Sequence, residues 1–195
     1  MMSNTAYHIP VLLNESIANL NVKPDGVYVD LTFGGGGHSK AILEKLGEHG
    51  KLFAFDQDAD ALQNTLNDKR FVLIPQNFRF IKNYLKLNGV QQVDGILGDL
   101  GVSSHQFDSA GRGFSIRFDA ELDMRMNQKS DLTAKKIVNS YSEEKLVSIF
   151  SQYGEITNSR KVASVICAHR SEKPIETTND LKEATSTCYP KFEEH

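Results

Sequence analysis

Three aspartates and a run of glycines are the residues of this sequence whose types and spacing could do chemistry. Asp30 precedes Gly34–Gly37, and an apolar helical pattern follows the glycines. Glycines permit positive φ and let a ligand approach the backbone closely, and free N–H groups at a helix start favour a polar ligand. Asp56 and Asp99 end two further apolar runs. An ordinary flexible turn is the alternative, but four glycines there carry an entropic cost. The sequence therefore predicts a nucleotide-type binding site.

The elements that must position these residues alternate between strands and helices. The predicted strands are Val27–Asp30, Lys51–Asp56, Phe71–Pro75 and Val93–Asp99, and the predicted helices are Val11–Leu20, one opening at Ser39, Asp58–Leu66 and Arg79–Leu87. Such alternation indicates an α/β fold with a parallel, doubly wound sheet. Ligands bind at the carboxyl ends of such sheets. We therefore expect one crevice to collect Asp30, Gly34 to His38, Asp56, Phe78 and Asp99.

The type of ligand follows from the acids beside the glycines. The dinucleotide fingerprint G-x-G-x-x-G is met only in part, because Ser39 stands at its third glycine. Asp56 lies about 20 residues after the turn, where an acid holds ribose hydroxyls, although it could instead cap a helix, a role better suited to Asp58. Asp30 suits a ligand with a cationic amino-acid end and would repel a pyrophosphate. A nicotinamide-dependent oxidoreductase is the alternative, which Asp56 suits and the other features do not.

The chain changes character after the fourth predicted strand. Gly101–Met126 is a long loop rich in Gly, Ser and Asp, and long loops in compact domains tend to be functional. Its arginines Arg112, Arg117 and Arg125 could contact phosphates. An equally good alternative is that they pair with Asp119, Glu121 and Asp123 nearby.

The rest of the chain is helical in pattern and predicts a small subdomain. The predicted helices are Thr133–Ser140, Ser142–Tyr153, Asn158–Arg170 and Thr178–Tyr189. The predicted domains are therefore 1–106, a Rossmann-like domain, and 107–195, the long loop with the helical subdomain.

Composition limits the class of protein. The 195 residues include 22 Lys and Arg and 25 Asp and Glu, a net charge of −3, so charge alone gives no nucleic-acid footprint. No apolar run reaches membrane-spanning length, and the N-terminus lacks a signal pattern. Cys167 and Cys188 are too few and too far apart for a disulfide framework or zinc site. These features predict a cytoplasmic protein with no membrane contact, no metal and reduced thiols.

Four motifs in order carry a family resemblance. They are Asp30-x-Thr-x-Gly-x-Gly-Gly-His38, Asp99-Leu-Gly-Val-Ser-Ser104-His-Gln106, Arg112-Gly-Phe-Ser115 and Leu122-Asp-Met-Arg-Met126. Together they resemble the bacterial small-subunit rRNA cytosine-N4 methyltransferases of the MraW/RsmH type, from about Tyr7 to the end of the chain. The resemblance implies an S-adenosylmethionine-dependent methyltransferase fold, with methyl transfer to the exocyclic amine of a cytidine in 16S rRNA near the ribosomal P site. It also implies that the helical subdomain helps to recognise rRNA.

The resemblance also assigns roles to residues. The methionine end of the cofactor would be wrapped by Gly36, Gly37 and His38. Asp56 would hold the ribose, and Phe78 would lie against the adenine. The pocket would be completed by Asp99 and Gln106, and Asp30 matches the acid that ends the first strand in the family. Methyl transfer is an in-line displacement that needs chiefly positioning, which can supply roughly 7 to 11 kcal/mol. The amine of cytosine is a poor nucleophile because its lone pair is delocalised. We expect Asp99 to accept one of its N–H groups and the Ser103/Ser104 loop to shape the site, although Asp99 could simply cap a loop.

The chain departs from the family pattern in length. Family members continue after a Lys-Phe-x-x-His segment with more helix and further strands, whereas this sequence stops at Lys191–His195. We therefore expect a fragment whose sheet is incomplete and whose fourth strand has an open edge, which favours association and a homodimer. A non-catalytic module that binds cofactor or RNA is the third hypothesis.

Overall fold

The computed structural model describes residues 10–189. Tyr7, where the family resemblance begins, and the segment Lys191–His195 lie outside the described residues. The chain divides into two compact units, Met1–Gly101 and Val102–His195. This division lies five residues before the predicted one at 106, so Ser103, Ser104 and Gln106 fall in the second unit.

The first unit is built on a four-stranded parallel sheet. Its strands are β1 (Val27–Asp30), β2 (Lys51–Phe55), β3 (Phe71–Ile74) and β4 (Gly95–Leu97), and its helices are α1 (Leu13–Leu20), α2 (Gly37–Lys45) and α3 (Ile81–Leu87). The strand order is β3-β2-β1-β4, and every neighbouring pair is parallel. The predicted α/β class with a parallel sheet is confirmed, and within residues 10–189 β4 forms an edge of the sheet.

Both faces of this sheet are covered by apolar side chains, as a doubly wound sheet requires. Successive strand residues point to opposite faces. Tyr28 packs on one face in a cluster that includes Ile42 of α2. Val29 packs on the other face with Phe53 and with Leu85 of α3. The continuous apolar runs of β1 and β2 are explained by this burial on two sides.

Two predicted elements of the first unit are shorter than expected. The predicted helix Asp58–Leu66 is wrong, because only a single 3₁₀ turn, Ala61–Asn64, forms there. The Asp58 carboxylate accepts the N–H of Asp60 at 3.1 Å, which forms a local turn at the start of this segment. Strand β4 is limited to Gly95–Leu97. Just before it, the N–H of Asp94 donates to the carbonyl of Val27 at 2.7 Å, and the Asp94 carboxylate accepts the N–H of Val27 at 2.9 Å.

The second unit is helical, as predicted. Its helices are α4 (Ser104–Asp108), α5 (Ala134–Ser140), α6 (Glu143–Gln152), α7 (Ser159–Glu172) and α8 (Thr178–Thr185). Helices α5 to α8 contribute to an apolar cluster that includes Leu122, Leu146, Ile166 and Ile175. The predicted loop Gly101–Met126 also contains α4 and a 3₁₀ turn. Within residues 10–189, no helix is both long and apolar enough to cross a membrane.

Candidate functional site

The carboxylate of Asp30 lies at the end of β1, completely buried. Its Oδ1 accepts the N–H of Thr32 at 3.0 Å, and its Oδ2 accepts the hydroxyl of Ser39 at 2.7 Å. Burial raises the pKa of Asp30, and the two hydrogen bonds partly oppose that rise. Asp30 therefore connects the end of β1 to α2 through its hydrogen bond with Ser39. Its contact with a cationic group of a ligand stays a prediction.

The glycine run forms the turn that this aspartate supports. Gly34 and Gly36 adopt φ values of +50° and +76°, a region that side chains other than glycine enter at a cost. A Cβ on Gly36 would also stand 3.0 Å from the ring of Phe33, whereas one on Gly35 would meet nothing within 4 Å. Gly36 is the N-cap of α2. Two of the four glycines, Gly34 and Gly36, are thus favoured by a backbone conformation that other residues rarely adopt.

His38 occupies the first turn of α2 and is 5% exposed. Its Nε2 is buried and has no hydrogen-bond partner among residues 10–189. The neighbouring glycine is equally constrained, because a Cβ on Gly37 would overlap the ring of Pro10. A buried polar atom without a partner costs free energy, so this nitrogen is a candidate contact for a bound polar group.

Asp56 follows β2 and is joined to the glycine turn. Its Oδ2 accepts the N–H of Gly34 at 2.8 Å, and its Oδ1 accepts the N–H of Asp58 at 2.9 Å. Burial raises the pKa of Asp56. An ionised carboxylate has about four lone-pair sites. Asp56 can therefore hold the turn and still accept hydrogen bonds from a ligand.

The segment after β3 presents an aromatic ring. Asn77 caps the turn Phe78–Phe80 by accepting the N–H of Arg79 at 2.9 Å, and its side-chain amide donates to Gln57 at 3.0 Å. Phe78 is 37% exposed. An exposed ring held on a capped turn can stack against a flat ligand.

Asp99 follows β4, with its side chain exposed. Its N–H donates to the hydroxyl oxygen of Thr32 at 2.8 Å. In the strand register Asp30 lies opposite both Ala54 and Leu97. Asp56 and Asp99 therefore each follow a neighbour of Asp30 by two residues. The three aspartates lie at the same edge of the sheet, as the parallel order requires.

The predicted residues of the second unit build the start of α4. Ser103 accepts the backbone N–H of Gln106 at 3.2 Å, and the Gln106 side chain accepts the N–H of Ser103 at 3.0 Å, which together form a capping box. Gln106 is buried and Ser104 is exposed. The roles of Ser103 and Ser104 in shaping the site and of Gln106 in the pocket stay predictions.

The three loop arginines bind groups within their own unit. Arg125 makes a two-pronged ion pair with Asp123, with its Nε 2.7 Å from Oδ1 and its Nη2 2.6 Å from Oδ2. This pair lowers the pKa of Asp123. Arg117 pairs with Asp108 at 2.8 Å and not with the predicted acids. Buried Arg112 donates to the carbonyl of Arg125 at 2.9 Å. These contacts favour the predicted pairing with a nearby acid for Arg125, whereas the contact of Arg112 is with a backbone carbonyl.

Sequence reasoning missed three residues that build the site. Thr32 and Ser39 fix Asp99 and Asp30, and Asn64 donates to the carbonyl of Gly34 at 3.0 Å. Their hydroxyl and amide groups give no distinctive signal, because such residues are common near turns. Within residues 10–189, no group of three or more His, Cys, Asp and Glu side chains is arranged to hold a metal ion.

Comparison with known proteins gives a consistent result. The model of the MraW methylase family matches residues 5–195. A protein of Flavobacterium johnsoniae named ribosomal RNA small subunit methyltransferase H is 58% identical over 190 residues, which are 97% of this chain and 63% of that protein. A protein of the same name from Cytophaga hutchinsonii is 56% identical over 190 residues, 96% of this chain and 63% of that protein. The chain thus spans about three fifths of the length of these relatives.

Solved structures overlap this chain only in part. A putative rRNA-methylase from Clostridium thermocellum is 29% identical and covers 40% of this chain and 48% of its own, with a TM-score of 0.36. That score is too low to bear on the fold.

Proposed function

This chain belongs to the MraW methylase family, and we propose that it is the S-adenosylmethionine-binding part of an rRNA methyltransferase. The observation that carries the proposal is the arrangement at the carboxyl edge of the sheet. There the glycine turn, Asp56, Phe78 and Asp99 follow neighbouring strands. The relatives named ribosomal RNA small subunit methyltransferase H support the same assignment.

The residues at this edge fit the cofactor that the family name implies. The unpartnered Nε2 of His38 offers a buried contact for a polar group, and a Cβ would be crowded by Phe33 at Gly36 and would overlap Pro10 at Gly37. We assign this end of the site to the methionine part of S-adenosylmethionine. Asp56 then accepts the ribose hydroxyls, and the exposed ring of Phe78 lies against the adenine.

The chemistry of the site is mainly one of positioning. Bound S-adenosylmethionine supplies a methyl group already activated by its sulfonium. The chain must hold the nucleophile in line with it, and such positioning can lower a barrier by roughly 7 to 11 kcal/mol. We assign to Asp99 the task of accepting one N–H of the target amine, which returns lone-pair density to the nitrogen. Its exposed carboxylate is accessible for that contact.

We infer that the substrate is 16S rRNA in the small ribosomal subunit, with the N4 amine of a cytidine near the P site as the target, and that the protein is cytoplasmic. The family resemblance supports these finer points. Basic and acidic residues are nearly balanced in the chain, with a net charge of −3. RNA recognition would therefore depend on shape and local contacts more than on a basic surface.

Methyl incorporation into isolated small subunits tests the proposal. The subunits come from a strain that lacks the modification, and the product base is identified by mass after nuclease digestion. We expect N4-methylated cytidine with wild-type protein and a loss of at least tenfold in rate with Asp99→Ala at saturating S-adenosylmethionine. Binding of S-adenosylmethionine without methyl transfer would instead support a non-catalytic cofactor-binding module.

A further inference from the structure

Strands β1 and β4 separate at the carboxyl edge, and one residue bridges them there. Their last paired residues are Asp30 and Leu97, and the N–H of Leu31 still donates to the carbonyl of Leu97 at 2.8 Å. One residue further on, the hydroxyl oxygen of Thr32 accepts the N–H of Asp99 at 2.8 Å, across 67 positions of sequence. This side chain therefore extends the pairing of the two strands past the point where backbone pairing stops.

Thr32 is itself held by a buried chain of hydrogen bonds. Its N–H donates to Asp30, which also accepts the hydroxyl of Ser39 on α2. Asp30 and Ser39 are both fully buried. The position of Thr32 is thus fixed by Asp30 at the end of β1, which is itself held to α2 by the hydrogen bond with Ser39.

Asp99 depends on its backbone for its position. Among residues 10–189, no group donates a hydrogen bond to its carboxylate, and its side chain is exposed. The residues on either side, Gly98 and Leu100, are exposed as well. A carboxylate on such a segment keeps its direction only if the backbone that carries it is fixed.

From these contacts we propose that Thr32 is a positioning residue for Asp99. Its hydroxyl oxygen holds the Asp99 backbone against the end of β1, so that the carboxylate faces the methyl acceptor. This role rests on the proposed function, because it concerns the target side of the same site. It predicts that loss of this hydrogen bond lowers kcat, measured at saturating S-adenosylmethionine, much more than it lowers the affinity for the cofactor.

Two substitutions separate the hydrogen bond from the shape of the side chain. Thr32→Val keeps the branched shape and removes the oxygen, whereas Thr32→Ser keeps the oxygen. With small subunits as substrate, we expect Thr32→Val to lower kcat at least tenfold while the Kd for S-adenosylmethionine changes less than threefold. Thr32→Ser should stay within about twofold of wild type in both quantities. A kcat of Thr32→Val within twofold of wild type, or an equal loss in kcat and cofactor affinity, would overturn the proposal.

A second readout does not require activity. Exchange of the Asp99 amide hydrogen, followed by NMR on the full chain, reports the bond to Thr32 directly. We expect exchange at least fivefold faster in Thr32→Val and unchanged in Thr32→Ser. If wild-type protein transfers no methyl group, the proposed function fails, and this measurement still decides whether Thr32 holds Asp99. Equal exchange in Thr32→Val and wild type would show that it does not.

Discussion

Removing the hydroxyl of Ser39 tests whether a buried carboxylate supports the glycine turn. Ser39 and Asp30 are fully buried and joined by a hydrogen bond of 2.7 Å. A hydrogen bond to a charged group contributes about 1.5–3 kcal/mol. Since no water can replace the lost donor at this depth, we expect Ser39→Ala to lower the free energy of unfolding by about that amount at pH 7.5.

The pH dependence of this loss follows from the pKa of Asp30. Burial raises that pKa above its usual 3.8, and Ser39 lowers it. Because the pKa of Asp30 is higher in the folded than in the unfolded state, the folded protein binds this proton more tightly. The contribution of Asp30 to stability is therefore fully present below its unfolded pKa and is lost as the pH rises through its folded pKa. Ser39→Ala raises the folded pKa further, so its penalty is largest at neutral pH and shrinks as Asp30 becomes protonated.

Urea unfolding followed by circular dichroism measures these differences, because the protein contains no Trp for fluorescence. The matched control is Ser16→Ala in α1, a partly exposed serine of the same unit, for which we expect a change of a few tenths of a kcal/mol. A loss below about 0.5 kcal/mol for Ser39→Ala at pH 7.5, or an equal loss at pH 7.5 and pH 4, would refute the role assigned to Asp30.

Three further predictions concern other parts of the molecule. Gly36→Ala should cost about 1–2 kcal/mol of unfolding free energy because its φ is +76°, whereas Gly35→Ala should cost less than about 0.5 kcal/mol; equal melting curves would contradict this. Asp56→Asn should weaken S-adenosylmethionine binding at least tenfold, measured by calorimetry. Both carboxylate oxygens of Asp56 accept backbone N–H groups, so the NH₂ group of Asn would face one of these donors. Unchanged affinity would remove Asp56 from the site. Arg125→Ala should destabilise the protein by about 1.5–3 kcal/mol, and Arg117→Ala, whose ion pair is exposed, by less than about 1 kcal/mol; the reverse order in urea unfolding would be contrary to the geometry.

The sheet was predictable because its signals are strong. Four apolar runs, each ending in a polar or breaking residue, are typical of strands covered on both faces. The structure has strands in all four places, and the helix after Gly36 begins within two residues of its predicted start. The predicted helix at Asp58–Leu66 was wrong, since only the 3₁₀ turn Ala61–Asn64 forms there, and the apolar pattern of so short a segment does not distinguish a single turn from a helix.

The site was predictable only where the carboxyl-end rule applies. That rule placed Asp30, Asp56 and Asp99 at one edge, but it could not show that Asp30 is buried beneath the turn. Nor could it pair Thr32 with Asp99, because that contact depends on the register of β1 and β4. The pairing of Ser103 with Gln106 could have been found, since Ser-x-x-Gln is the sequence pattern of a capping box.

Calorimetry with two ligands tests most directly whether this edge of the sheet is a site for a sulfonium nucleoside. The chain is titrated with S-adenosylmethionine and, separately, with NAD⁺, the cofactor of the alternative class of enzyme. We expect binding of one S-adenosylmethionine per chain and no heat from NAD⁺. Binding of NAD⁺ without binding of S-adenosylmethionine would contradict the assignment.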